Sequence, residues 1–344
     1  MATERTLMSP LTLSRQRHRM LIDTLGTSTP PLGRSRHFTV YTLDGGRAEN
    51  DPEDVLVVHD FTPEQINNNV AAYVADELLP LLARVCPPSA FPPSGYAYSE
   101  NETFERYVGA IVRSMDSNER RAWHRFYDNT LAALRTPASA TPANGSSDFI
   151  ATFRSIYGRV AELVSDVSAG SILDVATCFG FLPLFLAGGG KRDGRPARRI
   201  VGCDLNSALV ALADDYRRQR LVPGVSFVNA DILGRQTAGA LDPDGNGFGV
   251  VTAIHLLEHL TPDETLQAME TLWGLTAGRL ILAVPFEAVP DPRFGHRQVF
   301  DRETLLALLP EGYGSHRYFE HHGGWLVIDR TRQPNCNNQR EDVA

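Results

Sequence analysis

Three side chains that can accept a proton or bind a metal ion fall within one helical turn, at His255, Glu258 and His259. One turn of helix would bring all three to one face, and another histidine, His296, follows later in the chain. A histidine within hydrogen-bond reach of a hydroxyl group can take its proton. Imidazole and carboxylate groups can also hold a divalent cation, which would lower the pKa of a bound hydroxyl. We therefore predict a catalytic cluster of His255, Glu258, His259 and His296, in which a histidine base is favoured and metal ligation is the alternative.

Two acidic residues upstream of this cluster mark the elements that would position it. Residues 171–180 have the pattern of a buried strand, which contains Asp174 and runs into a tight turn that opens a helix. A second apolar segment, 199–204, ends in Asp204. In doubly wound α/β domains such a pair holds a nucleoside, because the turn brings backbone amides to the ligand and the acid accepts the ribose hydroxyls. The 30 residues from Asp174 to Asp204 exceed the spacing of about 20 that is typical of dinucleotide-binding proteins.

Four segments in the same order resemble the motifs of the class I S-adenosylmethionine (SAM) methyltransferases. They are Leu173–Gly180, Asp204–Asn206, Asn229–Ile232 and the segment Ile254–Leu260, which contains a Leu-Glu-His triplet. The resemblance covers about residues 150–330. It implies an α/β fold with the Rossmann-like class I methyltransferase sheet, mostly parallel with an antiparallel last hairpin, and SAM as the cofactor. The Leu-Glu-His triplet also occurs in metal-free members of this superfamily, which is the reason for favouring a histidine base.

The resemblance also implies roles for individual residues. Asp204 would bind the ribose hydroxyls, Asp231 would accept a hydrogen bond from the adenine amino group, and Ile232 would pack on the ring. Asp174 would order the backbone amides of the loop. The implied set of SAM-binding residues comprises Tyr157, Asp174, Ala176, Cys178, Gly180, Asp204, Leu205, Asn206, Asp231 and Ile232.

The first motif departs from the family pattern at two positions where glycine is usual, Ala176 and Cys178. Of the three small positions, only Gly180 is a glycine. Alanine is acceptable at the first position if its φ angle is negative. We expect Cys178 to turn its thiol away from the ligand and to pack as a small hydrophobic residue.

Composition narrows the class of protein. The chain has 344 residues, 42% of them apolar, which is typical of a soluble globular protein. The net charge of −8 argues against a nucleic acid partner, because phosphate contacts favour a basic surface. No apolar run approaches the ~20 residues that span a bilayer. The four cysteines are scattered without metal-like spacing, so we expect a cytoplasmic protein. Its oligomeric state stays open.

The N-terminal half is predicted to be an appendage to the nucleoside-binding domain. A hairpin is expected at about 37–58, and helices are expected at about 60–85 and 102–134. The resemblance implies that these elements form a lid over the acceptor. The predicted divisions are a mobile arm with a short helix at 13–25 (1–35), the hairpin and helical lid (36–136), a linker (137–147), the SAM-binding domain (148–330) and a polar tail (331–344).

These features together predict a SAM-dependent O-methyltransferase that acts on a hydroxyl of a small molecule or saccharide. Residues 148–160, together with Cys178, resemble the mycofactocin oligosaccharide methyltransferase family, which implies a glucose hydroxyl as the acceptor. One alternative is an NAD(P)-dependent oxidoreductase, although a Ser/Tyr-x-x-x-Lys set is lacking. The other is a noncatalytic SAM-binding module, against which the acids Asp204 and Asp231 argue.

Overall fold

A computed structural model describes residues 12–14, 30–42, 55–85, 99–136, 149–167, 169–188, 198–234 and 237–331. The chain divides into two compact units. One comprises Met1–Ser155 and Asp291–Gly295, and the other Ile156–Pro290 and His296–Ala344. The predicted linker at 137–147 and residues 332–344 of the predicted tail lie outside the described residues.

The first unit contains a four-stranded sheet in the order β1-β4-β3-β2. Its strands are β1 (Thr12–Ser14), β2 (Gly33–Arg34), β3 (Phe38–Thr42) and β4 (Val55–His59). β3 and β4 pair antiparallel, and β1 pairs parallel with β4. The prediction of a short helix at 13–25 is therefore wrong at Leu13 and Ser14, and its remaining residues, 15–25, lie outside the described residues. The segment Thr12–Ser14 is extended because it pairs with β4, whose backbone groups would otherwise face outward as an unpaired edge.

Helical segments follow the sheet in this unit. The first long segment combines α1 (Asn69–Tyr73), a π-helical turn (Val74–Leu78) and α2 (Leu79–Val85). It is followed by α3 (Glu100–Ser114) and α4 (Glu119–Arg135). The Ser99 hydroxyl accepts a hydrogen bond from the Glu102 amide, and the Glu102 side chain accepts one from the Ser99 amide. This capping box fixes the start of α3.

The second unit is built on a seven-stranded sheet in the order β10-β11-β9-β8-β5-β6-β7. Its strands are β5 (Ser171–Val175), β6 (Arg199–Asp204), β7 (Val225–Asn229), β8 (Phe248–Ile254), β9 (Thr276–Val284), β10 (Tyr313–Glu320) and β11 (Gly324–Arg330). β5 to β9 are parallel, whereas β11 pairs antiparallel with both β9 and β10. The predicted fold class, a mostly parallel Rossmann-like sheet with an antiparallel last hairpin, is confirmed.

Among the described residues, one α-helix directly precedes this sheet and five others lie between its strands along the chain. They are α5 (Phe149–Ser165), which begins in the first unit, α6 (Phe181–Ala187), α7 (Ser207–Gln219), α8 (Thr237–Leu241), α9 (Pro262–Leu275) and α10 (Arg302–Leu306). Side-chain caps explain where two of them begin. Asn206 accepts hydrogen bonds from the amides of Ala208 and Leu209 at α7, and Thr261 forms a capping box with Glu264 at α9.

The strand order places a crevice at the carboxyl end of β5. β5 lies between β6 and β8, so the connections from its two sides run in opposite directions. Ligands of open α/β sheets bind at such a switch point. β5 and β8 are almost entirely buried, and this fixes the position of the loops that follow them.

The ring of Phe227, on β7, packs against two glycines. A Cβ atom would come within 2.5 Å of this ring at Gly180 and within 2.8 Å at Gly202. Gly180 is also left-handed, with φ of 71°. The turn after β5 can therefore approach β6 and β7 only because neither position carries a side chain.

None of the helices in the described ranges combines the length and apolar character needed to cross a membrane.

Candidate functional site

The turn after β5 holds two non-glycine residues in the left-handed region, with φ of 57° at Ala176 and 51° at Cys178. The condition that Ala176 have a negative φ is therefore not met. Cys178 is exposed, so the expectation that it packs as a small hydrophobic residue is also wrong. The turn keeps the backbone shape that glycines would give, at a conformational cost of about 1–3 kcal/mol per residue. Such strain is common where a backbone is held for a ligand.

Asp204, at the end of β6, is tied to this turn. One carboxylate oxygen accepts a hydrogen bond from the Cys178 amide at 2.8 Å, and the other accepts one from the Asn206 amide at 2.9 Å. A carboxylate has about four acceptor positions, so both oxygens can accept further hydrogen bonds. Leu205 beside it is 74% exposed, which leaves an apolar side chain uncovered at the edge of the crevice.

Asp174 is buried beneath the turn. Its two oxygens accept hydrogen bonds from the hydroxyls of Thr177 and Thr252, each at 2.7 Å. Burial raises the pKa of Asp174 to about 6, against the effect of these two hydrogen bonds. Burial, with Asp174 nearby, also raises the pKa of Tyr157 well above 10, so the phenol stays neutral. Asp174 thus orders the turn from below.

The two residues predicted to contact adenine are placed differently from each other. Asp231 is exposed, and its carboxylate accepts a hydrogen bond from the Leu233 amide at 2.9 Å. Ile232 is 7% exposed and belongs to the hydrophobic core of the sheet. Only a small part of the Ile232 side chain is therefore available to a ligand.

His255 and Glu258 follow β8 and are both uncharged at neutral pH. Burial, together with smaller contributions from the neighbouring His296 and His259, lowers the pKa of His255 to about 4. Glu258 is 1% exposed, and burial raises its pKa to about 8, with a contribution from Glu287. Neither Glu258 oxygen has a hydrogen-bond partner among the described residues. A buried carboxyl group with both oxygens unpaired is costly.

His259 and His296 complete the cluster around this carboxyl group. Ligand atoms of Glu258, His259 and His296 all lie within 4.8 Å of one another. The two histidine rings meet edge to face, with centroids 4.9 Å apart. His296 Nδ1 lies 2.7 Å from a Glu287 oxygen, and such a contact fixes the ring orientation and leaves Nε2 available.

The donor set of this cluster fits a divalent cation. Two imidazoles and a carboxylate are metal ligands, and a cation would satisfy the unpaired oxygens of Glu258. His255 stands apart from this set of three, although its Nδ1 lies 3.4 Å from Glu258 Oε1. The structure thus brings Glu258, His259 and His296 together and places His255 beside Glu258, and the catalytic roles expected of these four residues stay a prediction.

Three supporting residues were not in the predicted set of site residues. Thr177 and Thr252 hold Asp174, and Glu287 holds His296. Thr177 lies inside the first motif, so a hydroxyl three residues after Asp174 was the available signal. Thr252 carries no sequence signal, because it reaches Asp174 only through the pairing of strands. Glu287 lies nine residues before His296, and the path of the loop between them brings the two side chains together.

Comparisons with known proteins give a limited result. No family model matches the chain, and no curated protein matches it. Solved structures similar to it include the methyltransferase domain of bacterial CtHen1-C, with 18% identity and a TM-score of 0.41 over 51% of this chain and 97% of that one. Magnesium protoporphyrin IX methyltransferase from Synechocystis PCC 6803, with bound SAH, has 16% identity and a TM-score of 0.43 over 62% and 98%. CalS10, an amino pentose methyltransferase from Micromonospora echinaspora, has 19% identity and a TM-score of 0.40 over 51% and 90%. These values are low, and the fold assignment rests on the strand order of the chain itself.

Proposed function

We propose that the chain is a SAM-dependent O-methyltransferase that acts on a hydroxyl group of a small molecule or saccharide. One observation carries the proposal: a carboxylate at the end of β6 and a cluster of two histidines around the buried Glu258 both follow strands of one sheet. Asp204 is hydrogen-bonded to the turn after β5, and Glu258, His259 and His296 follow β8 and β9. A nucleoside cofactor and an acid–base cluster are the two parts that this reaction needs.

SAM binding is assigned to the turn after β5 and to the ends of β6 and β7. Asp204 accepts hydrogen bonds from the ribose hydroxyls at its remaining acceptor positions. A charged acceptor forms stronger hydrogen bonds than a neutral one. Leu205 offers apolar surface to the adenine, and Asp231 accepts from its amino group. The amides of the strained turn, ordered by Asp174, face the amino acid part of the cofactor.

Methyl transfer is an in-line displacement in which the acceptor oxygen bonds to the methyl carbon as the carbon–sulfur bond breaks. The sulfonium becomes a neutral thioether, and the hydroxyl proton must leave the oxygen. The protein therefore has to position the acceptor and take that proton. Of the two histidines predicted as the base, His259 is the better candidate, because the lowered pKa of His255, about 4, makes His255 a weak base at neutral pH.

The two Glu258 oxygens, which have no hydrogen-bond partner among the described residues, favour a second version of the same function. In this version a divalent cation assists removal of the acceptor proton. Glu258, His259 and His296 would hold the cation, with Glu287 orienting His296. Such a cation would lower the pKa of the acceptor hydroxyl. In this version Glu258 must be ionised, and its high pKa means that proton release accompanies cation binding.

Cofactor identity is tested by thermal shift with SAM, S-adenosylhomocysteine, NAD and NADP. Stabilisation by the first two alone supports the proposal, because a ligand that binds only the folded state raises its stability. Stabilisation by NAD or NADP alone would instead support the oxidoreductase. A protein that binds SAM but transfers no methyl group to any acceptor in a panel of saccharides and alcohols would support the noncatalytic module.

The two versions of proton removal are separated by His259→Ala and by EDTA. With a histidine base, the alanine variant loses about 10²–10⁴-fold in kcat at unchanged SAM affinity, and EDTA leaves the wild type active. With a cation, EDTA abolishes turnover and a divalent ion restores it. Full activity of His259→Ala, together with full activity of the wild type in EDTA, would contradict both versions.

The mycofactocin resemblance refines the acceptor to a glucose hydroxyl of the mycofactocin oligosaccharide. Incubation with glucose oligosaccharides and methyl-labelled SAM tests this refinement separately from the reaction class. If the methyl group is transferred to other hydroxyl acceptors but not to glucose oligosaccharides, the assignment of a glucose acceptor is refuted. The proposal of an O-methyltransferase would still hold.

A further inference from the structure

The first unit contains a cavity of about 270 Å³ whose walls include three arginines. Arg34 lies on β2, Arg36 follows it in the next turn, and Arg84 lies in the last turn of α2. Two acids, Asp76 and Glu77, share the wall. This concentration of arginine stands out in a chain whose net charge is −8.

Both acids of the wall are held by groups other than these arginines. Arg293, in the segment that belongs to this unit, lies 3.7 Å from Asp76. Glu77 accepts a hydrogen bond from the His37 amide at 3.1 Å, and its other oxygen lies 4.0 Å from His37 Nε2. The negative charge of the wall is thus engaged by Arg293 and His37.

The three arginines have no carboxylate partner among the described residues. By contrast, Arg121 and Arg279 each contact an aspartate, at 2.8 Å and 2.6 Å. In the cavity, Arg84 donates a long hydrogen bond of 3.4 Å to the carbonyl oxygen of Arg34. Three like charges lining one small cavity repel one another, and an anion between them would relieve that repulsion.

Close packing between β2 and α2 holds the arginines at one cavity. A Cβ atom at Gly33 would lie 2.6 Å from Val85 Cγ1 and 3.0 Å from Leu81 Cδ1. The strand therefore lies directly against the helix, which brings Arg34 and Arg84 within hydrogen-bond distance. This packing fixes the backbone positions from which Arg34 and Arg84 extend, so that both side chains start from the same wall of the cavity.

We propose that this cavity binds the phosphate group of a small phosphorylated ligand. Arginine presents a planar fork of donors that matches phosphate oxygens in a bidentate manner. The volume lies just below the range of about 300–1,000 Å³ that is typical of drug-sized ligands, so the cavity suits a phosphate with a small organic body. The lining of the cavity includes none of the residues assigned to SAM or to proton transfer.

Calorimetric titration of the full-length protein with inorganic phosphate and with glycerol 3-phosphate tests the proposal. The variants are Arg36→Gln and Arg84→Gln, which remove one charge each at exposed positions. Each is expected to weaken phosphate binding by about 10-fold or more, the loss of one charge-assisted contact. The matched control is Arg317→Gln, an exposed arginine of the other unit that lies 3.7 Å from Asp166, and it should leave phosphate binding unchanged.

Three results would overturn the proposal. They are the absence of binding of either phosphate compound at millimolar concentration, equal affinity for acetate, and an equal loss of affinity in Arg317→Gln. Circular dichroism of each variant confirms that it is folded. The titration contains neither SAM nor a methyl acceptor, so a negative result here leaves the proposed methyltransferase function untouched.

Discussion

Replacing Glu258 with glutamine tests the electrostatics of the cluster directly. Burial raises the pKa of the Glu258 carboxyl from 4.5 to about 8, so the folded protein favours the protonated form. Glutamine has nearly the same shape and cannot ionise. Glu258→Gln therefore removes the titration of this group and leaves its packing close to that of the wild type.

The size of the effect follows from the shift. A pKa that is raised on folding contributes stability that is complete below the unfolded value and is lost as the pH rises towards the folded value. For Glu258 that interval runs from 4.5 to about 8. At about 1.4 kcal/mol per pKa unit, the wild type should lose about 3–5 kcal/mol of stability relative to Glu258→Gln across the interval.

Urea unfolding of both proteins at several pH values, in the presence of EDTA, measures this difference. Because only the difference between wild type and variant is used, the titration of groups that do not contact Glu258, such as Asp174, cancels. Parallel pH dependences of the two proteins would refute the argument that burial controls this carboxyl. Repeating the series with a divalent cation adds a second test, since a bound cation stabilises only the wild type.

Three further predictions concern the turn after β5 and its supports. Asp204→Asn should weaken SAM binding by about 2–3 kcal/mol through the loss of a charged acceptor, and unchanged affinity in calorimetry would remove Asp204 from the site. Cys178→Gly should raise stability by about 1 kcal/mol because φ is 51°, with SAM affinity kept or improved; lost activity in the folded variant would instead give the thiol a role. Thr252→Val should cost about 1–3 kcal/mol, because it leaves a buried Asp174 oxygen without its hydrogen bond, and a neutral result in thermal unfolding would show that another donor takes over.

The second unit was largely predictable from sequence. Strands at 171–175, 199–204, 225–229 and 248–254 match the observed bounds, because short apolar runs between turn signals define buried strands. α10 was predicted to reach residue 309 and ends at Leu306. Helix ends are less certain because their last turn has few interactions that fix it.

The structure of the first unit and the details of the site were harder to predict from the sequence. β1 depends on pairing with β4, more than 40 residues away, and a local pattern does not contain that information. The left-handed φ of Ala176 contradicts the ordinary preference of alanine, because the surrounding turn imposes it. The sequence spacing placed Glu258 and His259 on one turn. The approach of His296 to them, the strain in the turn after β5 and the contacts of Thr252 and Glu287 arise only from tertiary packing. The predicted acceptor lid stays a prediction.

The ring of Phe227 makes three positions depend on one another over evolutionary time. It occupies the space that a Cβ atom would need at both Gly180 and Gly202. A larger residue at either glycine is acceptable only after the ring has been reduced, and a smaller residue at 227 alone leaves a void between the turn, β6 and β7. Among descendants of this sequence, substitutions at these positions should appear as compensating pairs, with the aromatic ring lost before either glycine is replaced.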